Sequence, residues 1–433
     1  MTQPVSAFSS HTSFSASERA SPQSSNLKSK DMMNIPEEHP WTAFGASEDE
    51  WNDWRWQLRN AVNTREKAER FIQLTEDERE GIAFSQQALP FQVTPYFLSL
   101  ADPIDPDCPL RRQAIPSKAE SERGAGEFRD PLGEDLHSPV PGIVHKYEEH
   151  VLFLVTDRCA GYCRHCTRRR LAGGVCHREM AERDPGCSAP DAKRIPDAIS
   201  YIRSHREIRD VLVSGGDPLL LSDSHLCGIL QQIRSISHVQ IIRIGTRVPA
   251  FLPMRVTEEL AKSLRQFSPL YVITHFNHVR EITPAAEKAC GLLADHGIPL
   301  ENQTVLLRGI NSEAGVLKAL FERLLAIRVR PYYLHQLDLA QGIEHFRTPI
   351  STGPELLKSL RGHTSGLAIP HLAVDLPLGY GKVTVSPDFV ERRQDGRTYF
   401  RNWQGELCPE PYPDPAETDC TCPYEHREQS RGR

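Results

Sequence analysis

No stretch of this 433-residue chain stays apolar for anything close to the roughly 18 residues a membrane-crossing helix needs. Its opening residues, MTQPVSAFSSHTSFSASERA, lack the apolar core of a secretory signal. There is no surplus of basic charge either. Against 51 Lys and Arg stand 57 Asp and Glu, a net charge of −6, and the two signs are interspersed, so neither a nucleic acid nor a polyanion is expected as partner. Also missing is an even set of cysteines that would read as a disulfide framework. The count is 11, and several sit in a reactive cluster, which argues for a reducing, cytoplasmic setting.

What is present is concentrated in VTDRCAGYCRHCTRRR, residues 155–170. Cys159, Cys163 and Cys166 form a C-x3-C-x2-C cluster directly after the apolar run 151–155. Ordinary iron–sulfur sites use four cysteines, and zinc sites use paired C-x2-C units with a distant second pair. Here no fourth cysteine lies close by, so a cubane [4Fe–4S] cluster would keep one open iron. S-adenosylmethionine, chelating through its amino and carboxylate groups, is the ligand such a site invites.

The rest of the chain reads as α/β. Residues 1–40 are Ser-rich and poor in apolar side chains, and are expected to be disordered. Ser47-Glu-Asp-Glu50 and Thr75-Glu-Asp-Glu78 are capping boxes, so residues 41–135 read as a helical N-terminal region. Trp51, Trp54, Leu58 and Val62 recur there at helical spacing and read as packing. From residue 136 to 370, β-branched runs at 151–155, 210–214, 238–244, 270–274, 301–307 and 331–336 alternate with amphipathic segments at 196–205, 223–235, 256–266, 283–296, 313–328 and 353–361; a seventh run follows at 371–375. That alternation implies right-handed βαβ units and a parallel sheet, with too few units for eight. A partial (β/α)6 barrel is expected, its site at the carboxyl ends of the strands, followed by a C-terminal region, 371–433. Residues 173–192 read as an inserted, solvated loop. Cys176, His177 and Cys187 within it carry a weaker metal reading.

The motifs TDRCAGYCRHCTRRRLAG, SGGDPLLLSD, RIGTRVP, THFNH, LLRGIN, RVRPYYLHQLD, EHFRTP, LRGHTSG and PLGYGK follow in an order and spacing that closely resemble the lysine 2,3-aminomutase family of the radical S-adenosylmethionine superfamily, from about Trp51 to about Cys422. The resemblance implies the same partial barrel and three cofactors, a [4Fe–4S] cluster, S-adenosylmethionine and pyridoxal 5′-phosphate, with zinc as a further metal. It also implies a homo-oligomer, an amino-acid substrate and an electron donor such as flavodoxin or ferredoxin.

Residue by residue, it places His165 near the adenine, and Ser214, Gly215, Gly216 and Asp217 at the methionine amino group. Asp217 can accept from an ammonium and the glycines allow close backbone approach, although SGGD alone reads equally as a tight turn. Lys382, in PLGYGK, stands at the family's cofactor lysine, where a depressed ionisation would suit Schiff-base chemistry with pyridoxal phosphate. The family's glycine run is interrupted here by Leu378 and Tyr380. Lys146, Tyr147 and His150 occupy a phosphate region that is richer in Arg in close relatives. Arg168 matches the clamp for the substrate carboxylate. Asp338 and Asp375 match the pair that holds the distal ammonium of lysine, a pair a glutamate-acting relative would not retain. Cys290, Cys420 and Cys422 match three of four zinc ligands; the fourth falls near Glu425 and His426, with Cys408 as another substitute.

The expected reaction is therefore the interconversion of L-lysine and L-β-lysine. The rivals are the same chemistry on arginine or on a lysine of a translation factor, and an iron–sulfur or zinc protein without catalysis. The long N-terminal region and the tail favour a free amino acid, and Lys382 argues for catalysis.

Overall fold

A computed structural model describes residues 39–124, 126–174 and 194–413. Of the segment 1–40 expected to be disordered, residues 1–38 lie outside the described residues, as do Cys176, His177 and Cys187 and the tail residues Cys420, Cys422, Glu425 and His426; Pro40 already opens a short helix, Pro40–Ala43. Among the described residues no helix is long and apolar enough to cross a membrane.

Nine strands form one sheet in strict chain order: β1 (Ile143–Tyr147), β2 (His150–Thr156), β3 (Asp210–Gly215), β4 (Ile241–Gly245), β5 (Leu270–Thr274), β6 (Leu300–Leu306), β7 (Val329–Gln336), β8 (His371–Leu376) and β9 (Gly381–Thr384). The pairs from β2 through β8 are parallel. Each parallel step is crossed by a helix: Arg194–Ser204, Asp223–Arg234, Glu258–Arg265, Pro284–Asp295, Ala314–Ala326 and Thr352–Leu360. Six β/α units and a seventh parallel strand make the expected partial barrel, and β1 and β9 do not pair with one another to close it.

Three of the crossover helices start where a side chain caps them. Ser222, Thr257 and Thr283 each accept a hydrogen bond from the backbone N–H three residues on. Glu258–Arg265 then buries only Leu260, Ala261 and Leu264, one stripe turned to the sheet. Strand alternation sorts the rest. Val211, Val213, Ile242 and Ile244 are fully buried, while their neighbours Leu212, Ser214, Arg243 and Gly245 line a central cavity of about 690 Å³.

Two edge strands depart from the sequence reading. β1 is a hairpin partner of β2, closed by the two-residue turn Glu148-Glu149. β9 runs antiparallel to β8. Both pair with the unpaired backbone groups that a sheet edge offers. Lys382 consequently sits in a strand, directly across from Asp375 in the β8–β9 register. A separate antiparallel sheet follows, β10 (Val390–Gln394), β11 (Arg397–Phe400) and β12 (Tyr412–Pro413).

The N-terminal region is a run of short helices packed into the barrel's main core. Both capping boxes form, but they carry different weights. Glu78 caps Thr75 at 2.8 Å and also receives a two-pronged bond from Arg111, 2.7 Å at each oxygen, with Arg111 0% exposed and Glu78 6%. Glu50 caps Ser47 in solvent. Glu78→Ala should therefore cost about 3–5 kcal/mol by stranding a buried guanidinium, read as a large fall in thermal or denaturant midpoint. Glu50→Ala should shift the same midpoint far less.

Candidate active site

The chain leaves β2 and turns at once through Cys159, Cys163 and Cys166, and all three line the cavity. This loop is tied down residue by residue to the N-terminal helices. Gln92 donates to the Cys159 carbonyl (3.1 Å) and its own carbonyl accepts from the Tyr162 amide (3.0 Å). The Arg164 amide reaches the Gln113 carbonyl at 2.9 Å. The Arg164 guanidinium forks onto Glu120 at 2.8 and 2.6 Å, and Arg169 adds a third bond at 2.5 Å. On the other side the Gly216 and Asp217 amides donate to the carbonyls of Thr156 and Arg158. A side chain at Gly216 would put its Cβ 2.2 Å from the Arg158 carbonyl oxygen, so this approach requires glycine.

The residues present fit an iron–sulfur cluster. The three thiols are free and stand on one loop. Burial pushes Cys159 far up and Cys166 up to about 11, so these two stay thiols until a metal displaces their protons. Among the described residues no three His, Cys, Asp or Glu side chains are close enough to hold one metal ion. A cluster of several irons spans a wider gap than a single ion. Arg247 donates to the Cys163 sulfur at 2.8 Å and is itself held by Gln113 (2.5 Å) and Glu281 (3.1 Å) with its guanidinium over the Phe251 ring.

Beside the loop, Ser214, Gly215 and Gly216 line the cavity at the end of β3, with Asp217 next. Asp217 accepts from the Thr246 hydroxyl at 2.7 and 2.9 Å and from the amides of Arg247 and Leu219. Burial nonetheless pushes its carboxyl up to about 6. His165 meets Asn277 through Nε2 at 3.1 Å and stacks edge-on to His275 and Phe346; its Nδ1 is buried without a partner. Burial and the nearby arginine Arg247 keep this ring neutral.

Across the cavity stand the remaining candidates. Lys382 Nζ donates to Asp375 at 2.5 Å and lies 3.3 Å from His335 Nδ1, which is also 3.3 Å from the same Asp375 oxygen. Burial pushes Asp375 up, but the hydrogen bond from His335 and the charge of Lys382 outweigh it and hold the carboxyl well below the usual range. Asp338 behaves oppositely. Burial and the charge of Asp375 raise it; one oxygen takes a short bond from the Thr167 hydroxyl, and the other, Oδ1, is buried without a partner. Arg168 lines the cavity too, with its Nε bonded to Glu134 at 2.7 Å.

Lys146, Tyr147 and His150 line the same end. Lys146 donates to the Leu132 carbonyl at 2.8 Å, and Tyr147 stacks on His150 with ring centroids 4.6 Å apart. Burial and the Arg243 charge depress His150. This end fits pyridoxal phosphate: an amine, an imidazole with a buried unpartnered Nε2 at His335, and the cations Lys146 and Arg243 face one cavity. The break in the glycine run has a visible cost, since Leu378 adopts φ +58° between Pro377 and Gly379.

Arg243, Thr246, Arg247, Asn277, Gln303, Tyr333 and His335 were not singled out from the sequence. Arg243 carried a signal, being a polar residue at an inward position of an otherwise apolar strand; His335 did not, since its strand also holds Arg330 and Gln336. Cys290 is 0% exposed and lies in the apolar core on the buried side of Pro284–Asp295, where burial pushes its thiol up to about 12. Cys408, the other described substitute, is exposed, and its thiol donates to the Glu410 carbonyl.

Two family models match the chain. Residues 153–317 match the radical SAM superfamily, and residues 357–429 match a domain described as lysine-2,3-aminomutase. An L-lysine 2,3-aminomutase of Clostridium subterminale is 48% identical over 376 residues, 87% of this chain and 88% of the relative. One from Bacillus subtilis is 45% identical over 85% of this chain and 76% of its own length. A glutamate 2,3-aminomutase of Clostridioides difficile is 38% identical over 88% and 87%. With the cysteine loop, the glycine turn and the lysine–carboxylate pair facing one cavity at the strand ends, the chain belongs to the lysine 2,3-aminomutase family of the radical SAM superfamily.

Proposed function

We propose that this chain interconverts L-lysine and L-β-lysine by moving the amino group between carbons 2 and 3. When bound, a reduced [4Fe–4S] cluster supplies the electron that cleaves S-adenosylmethionine, and pyridoxal phosphate supplies the π-system across which nitrogen migrates. Cys159, Cys163 and Cys166 would hold the cluster. Asp217 would receive the ammonium of S-adenosylmethionine, with Ser214, Gly215 and Gly216 bringing backbone close and His165 beside the adenine. Lys382 would bond the pyridoxal carbonyl, and Lys146, Tyr147 and His150 would face its phosphate. Arg168 would take the substrate carboxylate. An external reductant such as flavodoxin or ferredoxin belongs to this proposal, as does a homo-oligomer.

The observation that carries lysine as substrate is the pair Asp338 and Asp375. Asp338 keeps one buried oxygen unpartnered, and Asp375 is held ionised by a lysine amine. A lysine side-chain ammonium is the complementary group. Taking it out of water costs several kcal/mol unless it is paired. A glutamate side chain would instead meet two carboxylates. Arginine can also pair with carboxylates, and the distance from Arg168 to the pair is what would favour lysine over shorter ornithine.

Asp338→Asn should cut lysine turnover about tenfold or more, since about 1.4 kcal/mol of lost interaction already does so. Competitive turnover of lysine, arginine, ornithine and glutamate by wild type and variant checks this. A wild-type preference for glutamate, or unchanged lysine turnover in the variant, would refute it.

Asp217 yields a pH prediction. Its raised ionisation leaves it uncharged below about 6, without an anion to offer an ammonium. Affinity for S-adenosylmethionine should hold at higher pH and fall as pH drops through about 6, and Asp217→Asn should weaken binding while flattening that dependence. Titration of the reconstituted protein with S-adenosylmethionine at several pH values reads both, and a wild-type affinity constant through pH 6 would count against the assignment.

A further inference from the structure

Lysine can attack a carbonyl carbon only as a free amine, because an ammonium has no lone pair. The only charged side chain bonded to Lys382 Nζ among the described residues is Asp375, at 2.5 Å, and this carboxylate is a poor destination for a proton. Its ionisation is held well below the ordinary range by the His335 hydrogen bond and the Lys382 charge, in spite of burial. The second polar neighbour is His335 Nδ1, 3.3 Å from Nζ. We propose that His335 takes the proton Lys382 must lose before its amine bonds a carbonyl carbon, and returns it when that bond is exchanged for one to a substrate amine. This rests on the reading of Lys382 as the residue that bonds pyridoxal phosphate.

Three features carry it. First, Nδ1 lies 3.3 Å from the same Asp375 oxygen that holds Nζ, so a proton moved from nitrogen to nitrogen stays beside one carboxylate. The pair Lys382⁺–Asp375⁻ becomes His335⁺–Asp375⁻, and the net charge of the triad does not change. Second, Nε2 is buried and without a partner, so nothing demands its lone pair. The ring has two tautomers: with the proton on Nδ1 it donates to Asp375, and with the proton on Nε2 the freed Nδ1 accepts from Nζ. Third, the triad is built on three adjacent strands, His335 on β7, Asp375 on β8 and Lys382 on β9, so its spacing is set by the sheet.

The charged and titratable groups around the ring are few. Asp375 and Lys382 face it from the neighbouring strands, Asp338 follows it on the chain, Tyr333 lies edge-on at 5.3 Å on the same strand, and His275 approaches from the end of β5. None of the others offers Nζ an acceptor at hydrogen-bond distance. The balance is closed. Condensation of an ammonium with an aldehyde forms one C=N bond, with the new C–N electron pair coming from nitrogen. Nitrogen gives up three protons, two of which leave with the carbonyl oxygen as water. The third goes to Nδ1. Nothing is oxidised or reduced.

The test uses the full chain freed of pyridoxal phosphate and then mixed with it. Bond formation is followed by absorbance and by borohydride trapping with peptide mapping. His335→Gln should slow bond formation about tenfold or more at neutral pH, leave the label on Lys382, and regain its rate at high pH, where amines lose protons unaided. His335→Ala should be similarly slow and be rescued by added imidazole. In wild type the rate should level off at lower pH than the reaction of Nα-acetyl-lysine with the same aldehyde, a comparison that needs no variant. Label on Lys382 with an unchanged rate and pH profile in His335→Gln would overturn the inference alone, as would a wild-type profile matching acetyl-lysine. Label on a different lysine in wild type would overturn the cofactor-lysine reading and this inference with it.

Discussion

The site depends on one buried carboxylate. Glu120 belongs to the N-terminal helices and is 4% exposed, yet it accepts three charge-assisted bonds from Arg164 and Arg169, which bracket His165 and Cys166. Burial alone would push such a carboxyl toward neutrality; the two guanidinium charges overcome that and hold it ionised. The arrangement stands only if all members are present. Removing one partner from a buried pair strands the others at about 3–5 kcal/mol, a large share of the stability of any domain. The N-terminal region is thus a support for the cysteine loop. Gln92 and Gln113 extend the same support along the loop backbone, and Gln113 continues it through Arg247 to the Cys163 sulfur.

From this anchored loop the cavity is organised by charge. At one end Asp217 is fixed by Thr246 and backbone amides, and at the other Asp375 is fixed by Lys382 and His335. Asp217 is buried and Asp375 half-buried, and the balance falls differently at each: burial outweighs the hydrogen bonds to Asp217 and pushes it toward neutrality, while His335 and Lys382 outweigh burial at Asp375 and hold it ionised. A neutral-leaning acid suits a ligand that comes and goes. A permanently charged one suits a resident cation. The barrel makes the contrast possible because alternate strand residues face either the helices or the cavity, so single polar positions in apolar strands point inward without disturbing the core.

Much of this was legible in the sequence, for definite reasons. All seven parallel strands overlap the runs read as strands and all six crossover helices the amphipathic segments, because burial against a sheet writes a period into the chain. The capping boxes at Ser47 and Thr75 are local and formed as read. What escaped was set by distance. Glu120 meets Arg164 across 44 residues, and Thr246 meets Asp217 across 29, with no local pattern to betray either. β1 and β9 escaped because a sheet edge recruits them, and with them went the strand position of Lys382 and its cross-strand pairing with Asp375. The burial of Cys290 escaped too, since its spacing says nothing of which helix face it occupies, and that face is the core.

The central claim is that the N-terminal helices hold the cysteine loop through Glu120. The most direct measurement is the iron and sulfide content of Glu120→Gln after anaerobic reconstitution, taken beside circular dichroism of the same sample. The account predicts a folded barrel with clear loss of bound cluster and of S-adenosylmethionine cleavage, because a neutral amide cannot balance two buried guanidinium groups. Wild-type cluster content and cleavage in a folded Glu120→Gln chain would contradict it.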